Sequence, residues 1–96
     1  MVKYSHIDDI YGSLSDPTRR EILLKISDGN LDLSKLAQDQ KISLPAVSKH
    51  LKVLEKAKLI KRERQGREYK FTLEVAAKYW IEQFKNLEKF LKGGDK

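Results

Sequence analysis

The sequence predicts a mainly α-helical fold with one small β-hairpin, in the order α-α-α-α-β-β-α. Apolar residues recur at helical spacing through the first half of the chain, the period changes to alternation around Gly66, and a long amphipathic segment follows. The 96 residues are enough for a single domain, so we expect one domain spanning residues 1–96. Its core would be modest, and a partner subunit would add useful buried area.

The first helix is predicted by its apolar spacing and the second by a start signal. The first is predicted by an apolar stripe consisting of Ile7, Ile10, Tyr11 and Leu14. Asp16 can cap the second helix, and Pro17 suits its first position because the missing N–H is no loss there. The turn residues 28–30 end this helix.

The next two helices are joined by only a few residues. A short third helix is predicted around Leu36 and Ala37. Ser43 is placed to cap a fourth helix that runs from about Leu44 to Lys58, with Pro45 just inside it. Because so short a join makes the two helices cross steeply, this pair reads as a helix-turn-helix.

From Leu59 onwards the sequence indicates a hairpin followed by a last helix. A hairpin over residues 60–73 is predicted with its turn at Gln65-Gly66, and apolar and polar residues alternate along its second strand. The last helix covers about 74–91, with an apolar stripe formed by Ala77, Trp80, Phe84, Leu87 and Leu91. The tail 92–96 is expected to be frayed. A hairpin directly after a helix-turn-helix is a wing, so the fold is a winged helix-turn-helix.

The positive charge is concentrated where this architecture would meet DNA. The net charge is +6, and residues 41–70 hold ten Lys or Arg and three Glu, a net of +7. A concentrated basic block indicates a polyanion site, although a solvated face without a partner is the plainer interpretation. The DNA-binding candidates lie on the fourth helix and the wing, and they are Ser43, Leu44, Ala46, Ser48, Lys49, His50, Lys52, Arg62, Arg64 and Arg67. His50 could either meet a phosphate or pack against the hairpin.

Several stretches resemble ArsR-type repressors. SDPTRREIL at 15–23 is similar to the start of the family's second helix, and SLPAVSKHLKVL at 43–54, LIKR at 59–62 and Gly66-Arg67 resemble its helix-turn-helix and wing. The resemblance runs from about residue 14 to 73. It implies a winged-helix homodimer, joined through its first and last helices, that binds operator DNA and is released by a signal.

The chain departs from the family pattern at several positions. Lys58 stands where a glycine is usual, and a left-handed lysine costs on the order of 1 kcal/mol, so we expect a different local shape at that helix end. Asp32 and Ser34 occupy the positions of the Cys-x-Cys pair of the metal-sensing members, and the last helix has no histidine. We therefore expect no metal and no cofactor.

We expect a homodimer built on the first and last helices. Their apolar residues exceed what a monomer of this size easily covers, and the predicted interface consists of Ile7, Ile10, Tyr11, Leu14, Tyr79, Trp80, Phe84, Leu87 and Leu91. The preferred function is a DNA-binding transcriptional repressor. The alternative is a winged helix that serves as a protein-interaction module without DNA specificity.

Other functions lack the necessary residues. There is no cysteine, and the two histidines cannot form a catalytic cluster, so no catalytic residue and no enzyme activity are expected. His6, with Asp8 and Asp9 nearby, is expected to face solvent, and solvation is also expected for Arg19 and Arg20. No apolar run approaches the roughly 20 residues of a membrane span. A cytoplasmic location without membrane contact is expected, with double-stranded DNA as partner and a protein or small-molecule effector of unknown identity.

Overall fold

The structure is a computed structural model that describes residues 4–93 of the chain. Over that range the elements are α1 Tyr4–Leu14, α2 Pro17–Ser27, α3 Leu33–Gln40, α4 Leu44–Lys56, β1 Ile60–Gln65, β2 Glu68–Leu73 and α5 Val75–Gly93. The predicted order of elements is confirmed. The expected frayed tail is wrong for Lys92 and Gly93, which continue α5, and the rest of that tail lies outside the described residues.

Side-chain caps fix the starts of α2 and α4 as the sequence predicts. The Asp16 carboxylate accepts hydrogen bonds from the backbone N–H groups of Thr18, at 2.8 Å, and Arg19, at 3.1 Å. The Ser43 hydroxyl oxygen accepts one from the N–H of Ala46, at 3.2 Å. Each cap satisfies helix N–H groups that have no partner within the helix.

The end of α4 corrects two expectations about Lys58. The helix ends at Lys56, two residues earlier than predicted, and Lys58 takes the left-handed conformation with φ 60°. The N–H of Leu59 donates to the carbonyl of Leu54, at 3.0 Å, and that of Lys58 to the carbonyl of Glu55, at 2.9 Å. This is the Schellman motif that a glycine would form, so the expected change of local shape is wrong. Leu54 and Leu59 are both fully buried, which favours the motif despite the lysine.

The hairpin turn is displaced by one residue from its predicted position. Strands β1 and β2 pair antiparallel, from Ile60 with Leu73 to Gln65 with Glu68. Gln65 therefore belongs to the ladder, and the two turn residues are Gly66 and Arg67. Gly66 has φ 65°, which suits the first central position of a tight hairpin turn because glycine carries no Cβ penalty there.

The hydrophobic core lies between the helices and the base of the hairpin. Its fully buried large side chains are Ile22, Leu23, Val47, Leu54 and Leu59. Leu14 joins this core and is 6% exposed, because the tight turn after α1 brings α2 back against it. Since Leu14 has almost no surface left for a partner subunit, the structure moves it from the predicted dimer interface into the core. Among residues 4–93, no helix is long and apolar enough to span a bilayer.

Candidate nucleic-acid interface

Helix α4 separates its apolar and polar side chains onto opposite faces. Val47 and Leu51 are buried against the core, whereas Ser48, Lys49 and Lys52 are exposed. Helix α3 precedes α4 across a join of three residues, 41–43, and packs against it. Lys41 makes this short join possible by taking a left-handed φ of 58° at the end of α3. The core thus holds α4 by one face and leaves its basic face open.

The first turn of α4 presents small and apolar groups. Ser43 and Leu44 are exposed, and half of the Leu44 surface is accessible. Ala46 is half-buried, so less of it is available than the sequence suggested. The first turn therefore offers apolar atoms beside the basic residues of the next turn.

His50 contacts a side chain of α2. Its Nδ1 lies 3.1 Å from Nη1 of Arg19. The expectation that Arg19 and Arg20 are merely solvated is wrong. Arg19 also donates to the Ser13 carbonyl at 2.9 Å, and Arg20 donates to the carbonyl of Leu14 at 2.8 Å.

The Asp16 carboxylate lies beside this contact and has a perturbed pKa. Partial burial raises the pKa of Asp16, but the backbone N–H groups of Arg19 and Thr18 donate to the carboxylate and lower it. The positive charge of Arg19, and that of His50 when it is protonated, act in the same direction. The net effect holds the pKa of Asp16 below its usual value.

The wing is tied to α4 by Arg62. Its Nε lies 3.3 Å from the carboxylate of Glu55 on α4, and its guanidinium carbon lies 4.9 Å from the ring centre of Tyr69. Arg64 Nε donates to the carbonyl of Gly66 at 3.0 Å, and Arg67 is exposed in the turn. Arg64 and Arg67 are thus carried at the wing tip, whereas Arg62 is held at its base.

Some of these contacts carry no signal in the sequence. Arg19 and His50 are 31 positions apart, and nothing in the spacing pairs them. The contact between Thr18 Oγ1 and Gln40 Oε1, 3.0 Å long, likewise joins α2 to α3 across 22 positions. The basic residues that follow the Asp16 cap are visible in the sequence, but the pairing of one of them with His50 is not.

Known proteins with the same arrangement identify the family. A family model described as "Bacterial regulatory protein, arsR family" matches residues 16–62, from the cap of α2 into β1. The transcriptional repressor SdpR of Bacillus subtilis is 35% identical over 60 residues, which cover 62% of this chain and 67% of that protein. The chain belongs to the ArsR family.

Two further comparisons extend the likeness of this ArsR-family protein. The HTH-type transcriptional regulator Rv2034 of Mycobacterium tuberculosis is 43% identical over 60 residues, covering 62% of this chain but only 56% of that protein. A homodimeric winged helix-turn-helix DNA-binding domain, Mb0332 of Mycobacterium bovis, superposes with a TM-score of 0.75 over 91% of this chain and 82% of its own. At 15% identity that likeness is one of fold, and the predicted winged helix-turn-helix is confirmed. Because the family is one of regulatory proteins, the prediction of a regulator rather than an enzyme is also confirmed.

Helices α1 and α5 of this ArsR-family protein expose large apolar side chains. Its exposed members are Ile7, Tyr11, Tyr79, Leu87, Phe90 and Leu91. Ile10, Trp80 and Phe84 are half-buried against the protomer's own core. Trp80 packs edge-to-face on Tyr11, with ring centres 5.3 Å apart, and on Tyr79, with ring centres 5.4 Å apart. We call the six exposed residues the α1–α5 apolar face.

His6 is not the solvent-facing group that the sequence suggested. It is half-buried, and its Nε2 lies 3.2 Å from the carbonyl oxygen of Ala57, the residue that caps the end of α4. In the part of the chain that the structure describes, no three His, Asp or Glu side chains lie close enough together to hold a metal ion. His6 therefore joins α1 to the end of α4.

Proposed function

We propose that this ArsR-family protein, acting as one domain over residues 1–96, binds specific duplex DNA as a homodimer and represses transcription. Helix α4 is the recognition helix, which enters the major groove, and the β1–β2 wing meets the flanking backbone or the adjacent minor groove. One observation carries the proposal: α4 exposes Ser48, Lys49 and Lys52 on one face, which we call the recognition face, while its other face is fixed in the core. A helix held in this way can present polar side chains to base edges without itself moving.

Base reading is assigned to the first turns of α4. The exposed Leu44 and the half-buried Ala46 carry apolar atoms that suit thymine methyl groups. Ser48 and Lys49 follow one turn later and can hydrogen-bond base edges or phosphates. Ser43 lies at the helix N-terminus, where backbone N–H groups favour a phosphate.

Phosphate contacts are assigned to the wing and to the far part of the recognition face. Arg64 and Arg67 are exposed at the wing tip, and Lys52 is exposed on α4. Arg62 already contacts Glu55 and the Tyr69 ring, so its contribution to DNA contact would be smaller than that of the tip arginines. Glu55 pairs with Arg62 and Glu63 pairs with Lys61. Eight further Lys or Arg and one further Glu lie within residues 41–70, so this segment keeps its excess of positive charge.

The homodimer is supported by the α1–α5 apolar face. Exposed apolar area of this kind costs free energy in water, and pairing with a second copy across a two-fold axis would remove it. SdpR is described as a repressor and the Mb0332 domain as homodimeric, and both properties are proposed here for this chain. A two-fold dimer predicts a palindromic site with half-sites about 34 Å apart.

The test is selection of bound duplexes from a random pool, followed by affinity measurements on the selected site. We expect a palindrome with half-sites one DNA turn apart. Lys49→Ala should weaken binding to it by about 1–3 kcal/mol. Lys85→Ala, which removes the same charge from an exposed position of α5, is the matched control and should change little. If no sequence is enriched, and binding to cellular protein instead survives high salt and DNA competitor, the chain is a protein-interaction module.

A further inference from the structure

The contact between Arg19 and His50 determines where the imidazole proton lies. An arginine guanidinium stays protonated and can only donate hydrogen bonds. Since its Nη1 lies 3.1 Å from Nδ1 of His50, that nitrogen must be the acceptor. A neutral imidazole with an accepting Nδ1 carries its proton on Nε2. The contact therefore selects one of the two neutral tautomers of His50.

Arg19 is itself held in place by other groups. Its Nε donates to the carbonyl of Ser13 at 2.9 Å, and its Nη2 donates to that of Gly12 at 3.2 Å. The carboxylate of Asp16 lies 4.0 Å from Nη1, and only 17% of the Arg19 side chain is exposed. Three nitrogens of one planar group thus make three separate hydrogen bonds, which a lysine with its single nitrogen cannot reproduce.

The other imidazole nitrogen of His50 reaches solvent. Within residues 4–93, the hydrogen bond of His50 is made through Nδ1, and no buried side-chain nitrogen or oxygen there lacks a partner. Nε2 is therefore accessible, and His50 directly follows the exposed Lys49 of the recognition face. The result is a neutral N–H donor on the flank of that face.

We propose that Arg19 is a positioning residue for DNA binding. It locks His50 in the tautomer whose Nε2–H donates to a phosphate oxygen of the bound duplex, while Arg19 itself does not touch DNA. The inference rests on the proposed function, since it requires α4 to lie against a duplex. It adds a residue of α2, outside the recognition helix and the wing, to the groups that set affinity.

The first test is a set of affinity measurements on the selected duplex. Arg19→Gln should weaken binding about twofold for each subunit, and so about fourfold for a dimer, because a mixture in which roughly half of the His50 rings carry the proton on Nε2 halves the competent population. Arg20→Gln is the matched control, because it removes the same charge from the next residue, whose side-chain hydrogen bond within residues 4–93 goes to the Leu14 carbonyl. This variant should stay within about twofold of the parent. In the His50→Ala background, Arg19→Gln should cause no further loss, because its effect passes through the imidazole. Equal losses in the two glutamine variants, or losses at Arg19 and His50 that multiply, would overturn the proposal.

The second test observes the tautomer directly and needs no DNA. Nitrogen-15 NMR of the imidazoles distinguishes the Nε2–H from the Nδ1–H form, and the His6→Gln variant leaves His50 as the sole histidine. At pH 8 the His6→Gln variant, which keeps Arg19, should show His50 in the Nε2–H form. Adding Arg19→Gln to it should give a mixture of the two forms. If Arg19→Gln fails to fold, the His6→Gln variant with Arg19 in place still tests the proposal. A mixture or the Nδ1–H form in that variant contradicts it. Should the protein enrich no duplex at all, the proposed function fails instead, whatever the tautomer is.

Discussion

Replacing Lys58 by glycine should make this protein more stable, although it removes a charged residue and adds flexibility. Lys58 holds the left-handed conformation, φ 60°, at the end of α4. That conformation costs an L-residue roughly 1–2 kcal/mol because Cβ crowds the following carbonyl oxygen, and glycine has no Cβ. Glycine also gains about 0.4–1 kcal/mol of chain entropy in the unfolded state, which opposes the benefit. The difference leaves a net stabilisation of about 0.5–1 kcal/mol.

The measurement is denaturant and thermal unfolding at fixed protein concentration, because a dimer would make stability depend on concentration. A stabilisation of about 0.5–1 kcal/mol corresponds to a rise in Tm of roughly 2–8 °C for a domain of this size. Lys58→Ala controls for the charge: it keeps the Cβ and should leave the Tm nearly unchanged. Lys56→Gly controls for the residue type, because Lys56 is the last helical residue of α4, and glycine there should destabilise by up to about 1 kcal/mol.

Two outcomes would refute this reasoning. If Lys58→Ala stabilised as much as Lys58→Gly, removal of charge from a basic surface would be the cause, and the backbone conformation would be irrelevant. If Lys58→Gly destabilised as much as Lys56→Gly, the left-handed helix end would be absent in solution. Gly29 gives a reference, since it ends α2 in the same conformation, with φ 73°, and Gly29→Ala should cost what Lys58→Gly gains.

Charge and exposure lead to three further predictions. Because the pKa of Asp16 is held down in the folded state, its carboxylate stabilises the fold above the unfolded pKa of about 3.9. This stabilisation is lost as the pH falls through the folded pKa. Asp16→Asn keeps a capping side chain and should lack this loss when unfolding is measured from about pH 7 to 2.5. Alanine at both Arg64 and Arg67 should lower the log–log salt slope of DNA binding by about 1 for each phosphate that the variant no longer neutralises, and an unchanged slope would show that the wing tip does not touch DNA. Leu91→Glu on the α1–α5 apolar face should shift sedimentation from dimer to monomer at micromolar concentration, and a parent that is monomeric there would remove the dimer from the proposal.

Local chemistry was enough to predict the elements and their order. The helical repeat and the strand alternation both follow from the directions in which successive side chains leave the backbone. A cap such as Asp16 or Ser43 acts within three residues of itself. The recognition face was predictable for the same reason. Once Val47 and Leu51 are assigned to the core, helix geometry places Ser48, Lys49 and Lys52 outside it.

Tertiary packing decided what depends on partners distant in sequence. The free-energy cost of a left-handed Lys58 follows from its residue type. The burial of Leu54 and Leu59, which favours the Schellman motif, depends on the packing of the whole domain. Leu14 lies on the same stripe as Ile7, and only the return of α2 after the turn buries one and leaves the other exposed. Likewise, the protonation pattern of an imidazole is set by the group that reaches its nitrogen, and for His50 that group comes from a different helix.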